Sequence, residues 1–103
     1  MTSAWARLLV LGALTMACNP TLAADAAYGE YLAAECSACH RVDAASAAIP
    51  SLRFLSYEYL VAALRDYRDG TRANTTMQSI ARSLGDAEIE ALAAYFSGIH
   101  DDP

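Results

Sequence analysis

Lysine is absent from this 103-residue chain, and its seven basic residues, all arginine, stand against twelve acidic ones. That balance excludes the basic face a nucleic-acid partner requires. It suits a docking partner with basic residues, although solvation alone accounts for most acidic faces. No stretch alternates polar and apolar residues with period two for long enough to make a strand. Internal repeats, low-complexity tracts and interdomain linkers are missing too. These absences leave one small all-α domain.

Long apolar runs are also lacking. The longest, LLVLGALTMA, has about ten residues behind a weakly basic flank ending at Arg7, too short to cross a bilayer but suited to the core of a signal peptide. Asn19 and Pro20 break the run, and small residues at Ala23 and Ala24 offer a cleavage site. The expectation is a leader over residues 1–24, a domain over residues 25–103, export to the periplasm, and no stable membrane insertion once the leader is removed. Retention of the run as a tether is one alternative. Lipid attachment at Cys18 is another, although Thr15 and Met16 fit that pattern poorly. Without the leader, Cys36 and Cys39 are the only cysteines and Met77 the only methionine. On the order of 80 residues then remain, a size at which a hydrophobic core alone is marginal and a staple, metal or cofactor supplies the rest.

The helical signals are local. DAAYGEYLAAEC predicts a first helix from about Asp25 to the cysteines, with Tyr28, Leu32 and Cys36 four residues apart. Gly29 within it costs roughly 1 kcal/mol relative to alanine, which is tolerated where another backbone crosses closely. Residues 41–55 lose all periodicity around Pro50 and predict a loop that wraps something apolar with Ile49, Leu52, Phe54 and Leu55. Ser56 as cap, Glu58 in the first turn and Gly70 as stop bound a second helix, whose apolar positions are Tyr57, Leu60, Val61, Leu64 and Tyr67. TRANTT reads as loop with Met77 at its end, followed by a short helical segment that closes at Gly85. Asp86 is expected to cap the last helix, with Ile89, Leu92, Tyr95, Phe96 and Ile99 on its buried face.

The chemistry concentrates in CSACH, Cys36 to His40. A structural zinc site needs four ligands, and the only other histidine is His100, with no second cysteine pair to help. A redox dithiol belongs beside a βαβ unit, which this pattern lacks, and leaves the histidine without a purpose. Covalent haem attachment accounts for the whole motif: the two thiols add across two vinyl groups on one edge of a porphyrin, and His40 lies under the iron as proximal ligand. Met77 is then the candidate for the opposite axial position, since paired methionine and histidine ligation raises a haem potential for electron transfer. Packing of Met77 in the core is the alternative. His100 is a second candidate ligand, in a tail that suits an exposed histidine.

The order GEYLAAECSACH, IPSL, YLVAALRDYRDGTRAN and TTMQSIARSLGDAEIEALAAYF resembles class I cytochromes c over the whole chain after the leader. The C-terminal half is similar to short bacterial monohaem cytochromes and to the cytochrome subunit of flavocytochrome c sulfide dehydrogenase. The resemblance implies about four helices around one haem c, thioethers at Cys36 and Cys39, and axial ligands His40 and Met77. It also implies that Gly29 packs on the final helix near Leu92 and Tyr95, and that the Pro50 carbonyl receives the Nδ1 proton of His40. Arg41 stands where the family often has glycine, and the lysine-ringed docking face of some relatives is missing.

Three function classes follow. The first is a periplasmic one-electron carrier, not itself an enzyme, that exchanges electrons with a donor and an acceptor protein across an apolar pocket containing Leu52, Leu60, Leu64 and Ile80. The second is the electron-accepting subunit of a flavoprotein sulfide dehydrogenase, for which exposed Phe54 and Tyr57 would be a docking patch. The third is a haem sensor with an open iron position, which requires that Met77 not ligate.

Overall fold

The computed structural model describes residues 22–41 and 48–98, together with Gly12. The rest of the proposed leader core, residues 42–47, Ile99 and His100 lie outside them. Five helices follow in order: α1 (Leu22–Leu32), α2 (Ala34–Cys39), α3 (Tyr57–Asp69), α4 (Thr75–Arg82) and α5 (Asp86–Ser97). No strand occurs among the described residues, and no helix there is long and apolar enough to cross a membrane.

The single first helix expected up to the cysteines is divided at Ala33 into α1 and α2. Ala33 nevertheless keeps helical angles, φ −69° and ψ −11°. Its N–H donates to the Gly29 carbonyl at 2.8 Å and its own carbonyl accepts from Ser37 N–H at 2.9 Å. The two segments therefore continue one another across a single turn residue. The four-residue spacing marks only part of the buried face: Leu32 and Cys36 pack against the core. Tyr28 is 45% exposed, whereas Gly29 and Ala33 are buried.

Gly29 explains that choice. A Cβ there would collide with the Ala91 carbonyl and lie 2.8 Å from the Tyr95 Cβ. The small side of α1 thus meets α5 backbone to backbone, at the crossing expected from its glycine, with Ala91 and Tyr95 as the contacts. Helix α5 is enclosed more completely than its large apolar residues alone indicate: Ile89, Leu92 and Phe96 are buried, and so are Ala91, Ala93 and Ala94. Ala33, Leu60, Val61, Ile89, Leu92, Ala93 and Phe96 form the core cluster.

Helix α3 begins and ends where its sequence says. The Ser56 hydroxyl accepts from Tyr59 N–H at 3.1 Å, and Gly70 adopts the left-handed φ of 82° that glycine tolerates without penalty. Two other boundaries differ from expectation. Helix α4 starts at Thr75, inside the segment read as loop, because Asn74 turns its side chain to the helix entrance and caps it. At α5 the cap residue is Gly85 rather than Asp86. Gly85 N–H donates to Glu88 Oε2 at 2.6 Å, and Asp86 instead meets Arg68 at 2.9 Å and Arg65 at 3.8 Å. With the Arg65–Glu90 pair at 3.5 Å, these contacts join α3 to α5.

The loop after the histidine divides its apolar residues. Leu52 and Leu55 pack against the core, but Phe54 is 64% exposed. It sits at φ 64°, a left-handed value that is costly for a side chain of this size. Arg53 lies over its ring, 5.4 Å from the centroid. Phe54 is therefore not part of the apolar wrapping expected of this loop, and Tyr57, half-buried against the core, is no open patch.

Candidate functional site

Helix α2 is one and a half turns long, so Cys36 and Cys39 lie three residues apart on one side of it. His40 ends it. Its N–H still donates to Cys36 O at 2.7 Å, while its ψ of 61° takes the chain out of the helix. The ring is fixed from outside: His40 Nδ1 is 2.8 Å from the Pro50 carbonyl oxygen. A carbonyl only accepts, so Nδ1 carries the proton of this bond, and Nε2 is the nitrogen left for a metal. This is the contact the resemblance implied.

Cys36, Cys39, His40 and Met77 all line one cavity of about 270 Å³. Its walls are largely apolar and come from every helix except α1 and from the loop after His40: Leu52 and Leu55, Leu60 and Leu64 of α3, Ile80 of α4, Leu92 and Phe96 of α5. All four apolar residues expected in the pocket, Leu52, Leu60, Leu64 and Ile80, are there. A second cleft shares Cys36, Ile80 and Leu84 with it but contains neither His40 nor Met77.

The thiols are unpaired. Burial pushes the Cys36 thiol up from its ordinary pKa, and the neighbouring Glu35 carboxylate adds to the rise. A redox dithiol is built the opposite way, with its attacking sulfur held as thiolate. Among the described residues no three histidine, cysteine, aspartate or glutamate side chains converge to hold a metal ion, so the zinc reading finds no ligand set there. A flat apolar macrocycle with two addable vinyl groups fits the donor set better: two thiols at one wall, an imidazole with a defined tautomer beside them, and a thioether from another element, in an apolar hollow.

This composition decides the family once it is set beside known proteins, because residues 26–99 match the family described as Cytochrome c. The chain belongs to the cytochrome c family. This cytochrome is 38% identical over 72 residues to the cytochrome subunit of sulfide dehydrogenase from Chlorobaculum tepidum, covering 69% of this chain and 66% of that one. It is 39% identical over 80 residues to cytochrome c-554(548) of Halomonas halodenitrificans, covering 73% of this chain and 96% of that one. It is 42% identical over 62 residues to a thiosulfate dehydrogenase electron acceptor of Stutzerimonas stutzeri, covering 57% of this chain but 29% of the relative. The cytochrome therefore spans just under two thirds of the first of these proteins and under a third of the third.

Several cavity residues of this cytochrome escaped the sequence reading. Tyr59, Arg72 and Asn74 all line the hollow. The Arg72 guanidinium stands 4.9 Å from the Tyr67 ring centroid and 5.9 Å from that of Tyr59, and donates to the Tyr59 hydroxyl at 3.3 Å. That hydrogen bond is the main cause of the upward shift of the Arg72 pKa. Tyr59 and Tyr67 are eight residues apart, a spacing that puts them on one face of α3. The same spacing in the sequence was the available signal. Arg41 is exposed.

Proposed function

We propose that this protein is an exported one-electron carrier in which Cys36 and Cys39 hold one haem c through thioethers and His40 and Met77 are its axial ligands. The convergence of those four side chains on a single apolar cavity carries the reading. The bound haem supplies a ferric/ferrous couple that takes up or gives one electron. The chain's own groups do the rest. The Cys36 and Cys39 thiols would hold the haem, each by adding across one vinyl group with no net oxidation. The Nδ1–H···O=C bond to Pro50 orients the imidazole and raises its basicity toward the metal. Leucine and isoleucine walls keep water away, and the thioether, a weak and soft donor, favours the reduced state. The periplasm is the matching compartment, because the attachment chemistry implied by the motif acts on exported chains.

The test is expression of the full chain with c-type haem maturation, followed by intact mass and ferric and ferrous spectra. Covalent haem and low-spin spectra are expected, and Met77→Ala should turn the ferric iron high-spin. An unchanged spectrum in Met77→Ala would remove Met77 as ligand and reopen the sensor reading.

A second reading, the electron-accepting subunit of a flavoprotein sulfide dehydrogenase, is favoured by the exposed Phe54 and by likeness to a protein named the cytochrome subunit of sulfide dehydrogenase. Stable co-purification with a flavin-containing chain would establish it. A monomeric holoprotein that reduces a soluble partner without forming a complex would rule it out.

A further inference from the structure

We infer that Asn74 is a positioning residue for the Met77 thioether, and that its side chain sets how firmly the sulfur stays on an iron in this cavity. The inference rests on the reading of Met77 as an axial ligand. The N–H groups of a helix's first turn have no partner inside the helix. Met77 sits in the first turn of α4, and its N–H donates to Asn74 Oδ1 at 2.9 Å. The cap thus acts on the backbone of the candidate ligand itself rather than on a neighbour.

The residues around it tighten the same point. Gln78 N–H donates to the Asn74 carbonyl at 2.9 Å, and its Nε2 donates to the Arg72 carbonyl at 3.0 Å. Arg72 is in turn tied to α3, through its N–H to Asp66 O at 3.2 Å and its guanidinium against Tyr59 and Tyr67. The Met77 backbone is therefore referenced to α3 through a chain of directional bonds that ends at Asn74. Methionine needs such a reference more than histidine does. Its side chain has three soft torsions, so any looseness at the Cα spreads the sulfur over a wide volume. His40, by contrast, follows Cys39 directly and has its ring held by Pro50.

A cap that only stabilised its helix would affect unfolding and nothing else. A control is available at α5, where Glu88 makes the comparable bond to Gly85 N–H at a helix that supplies no ligand. The experiment uses haem-loaded full-length protein and cyanide as probe. It records the weak red charge-transfer band of a ferric sulfur–iron bond, the rate at which cyanide captures the ferric iron, and the thermal midpoint. Wild type is expected to show the band. Asn74→Ala should weaken it and speed cyanide capture about tenfold, the scale set by loss of a good cap. Asn74→Ser, which still caps, should restore both. Glu88→Ala should lower the midpoint with band and capture rate unchanged. Should Asn74→Ala not load haem, Asn74→Gly removes the same oxygen at a smaller cost to the helix. Unchanged band and capture rate in either variant, with only the midpoint lowered, would overturn the inference while leaving Met77 as ligand. Absence of the band in wild type would defeat the ligand reading and the inference with it.

Discussion

The two sides of the cavity are held in different ways. On the histidine side, α2 has six residues and no side-chain cap, and residues 48–56, the described part of the loop after it, contain no helix and place Phe54 in a left-handed conformation. On the methionine side, α3 and α4 both carry side-chain caps. There, Arg65, Arg68, Asp86 and Glu90 bind α3 to α5. The contrast follows from sequence distance. His40 adjoins Cys39, so on the proposed attachment two covalent bonds would deliver the imidazole, with the Pro50 carbonyl to orient its ring. Met77 arrives from another helix, and only non-covalent scaffolding brings it to the same place. Loose secondary structure is tolerated where chemistry supplies the restraint.

The most severe test of this contrast is to remove the covalent restraint. Cys36→Ser with Cys39→Ser should abolish covalent haem in the intact mass and, in a domain this small, cooperative thermal unfolding as well. Retention of a sharp transition without haem would mean that the histidine side stands by itself. Gly29→Ala comes next, because the added Cβ meets a backbone carbonyl that no rotamer change can move. A loss of about 3 kcal/mol, the upper end for overpacking, is expected by urea unfolding of the holoprotein. A loss below about 1 kcal/mol would show that α1 and α5 separate easily. Smallest is Arg68→Ala on the methionine side. The Arg68–Asp86 pair is short, but Asp86 is 66% exposed, so roughly 1 kcal/mol or less should be lost at low salt, and less still in 1 M salt. A salt-independent loss above about 2 kcal/mol would make this pair a principal support of the α3–α5 seam.

How much was legible in the sequence depended on how local each determinant is. Ser56 and Gly70 bound α3 because capping and left-handed turns are decided within a few residues. Gly29 announced a close crossing because a helical glycine needs a reason. Asn74 reads as loop in the sequence and caps α4 in the structure, because the side-chain hydrogen bonding that makes asparagine a loop residue also makes it a cap, and only the backbone that follows separates the two. Ala91, Ala93 and Ala94 gave no sign of burial, since alanine is at home on either face of a helix. Hydrophobicity alone places Phe54 inward, but it carries no information about a backbone angle. At the site, the CxxCH motif with its imidazole was plain in the chain. The meeting of Met77 with His40 across one cavity, and the company of Tyr59 and Arg72, required the fold.

The contact of Gly29 with Ala91 also bears on the order in which the chain is assembled. It joins the first described helix to the last, so almost everything else, the cavity included, lies within the loop it closes. Closing a loop of that length is slow, but the entropic cost grows only logarithmically with length. With the two helices joined first, α3 and α4 would reach their places as parts of a closed loop. Gly29→Ala should accordingly act on the rate of folding at least as strongly as on the rate of unfolding. On this view the glycine is a timing device, admitting the terminal helices to each other before the ligands between them have been sorted.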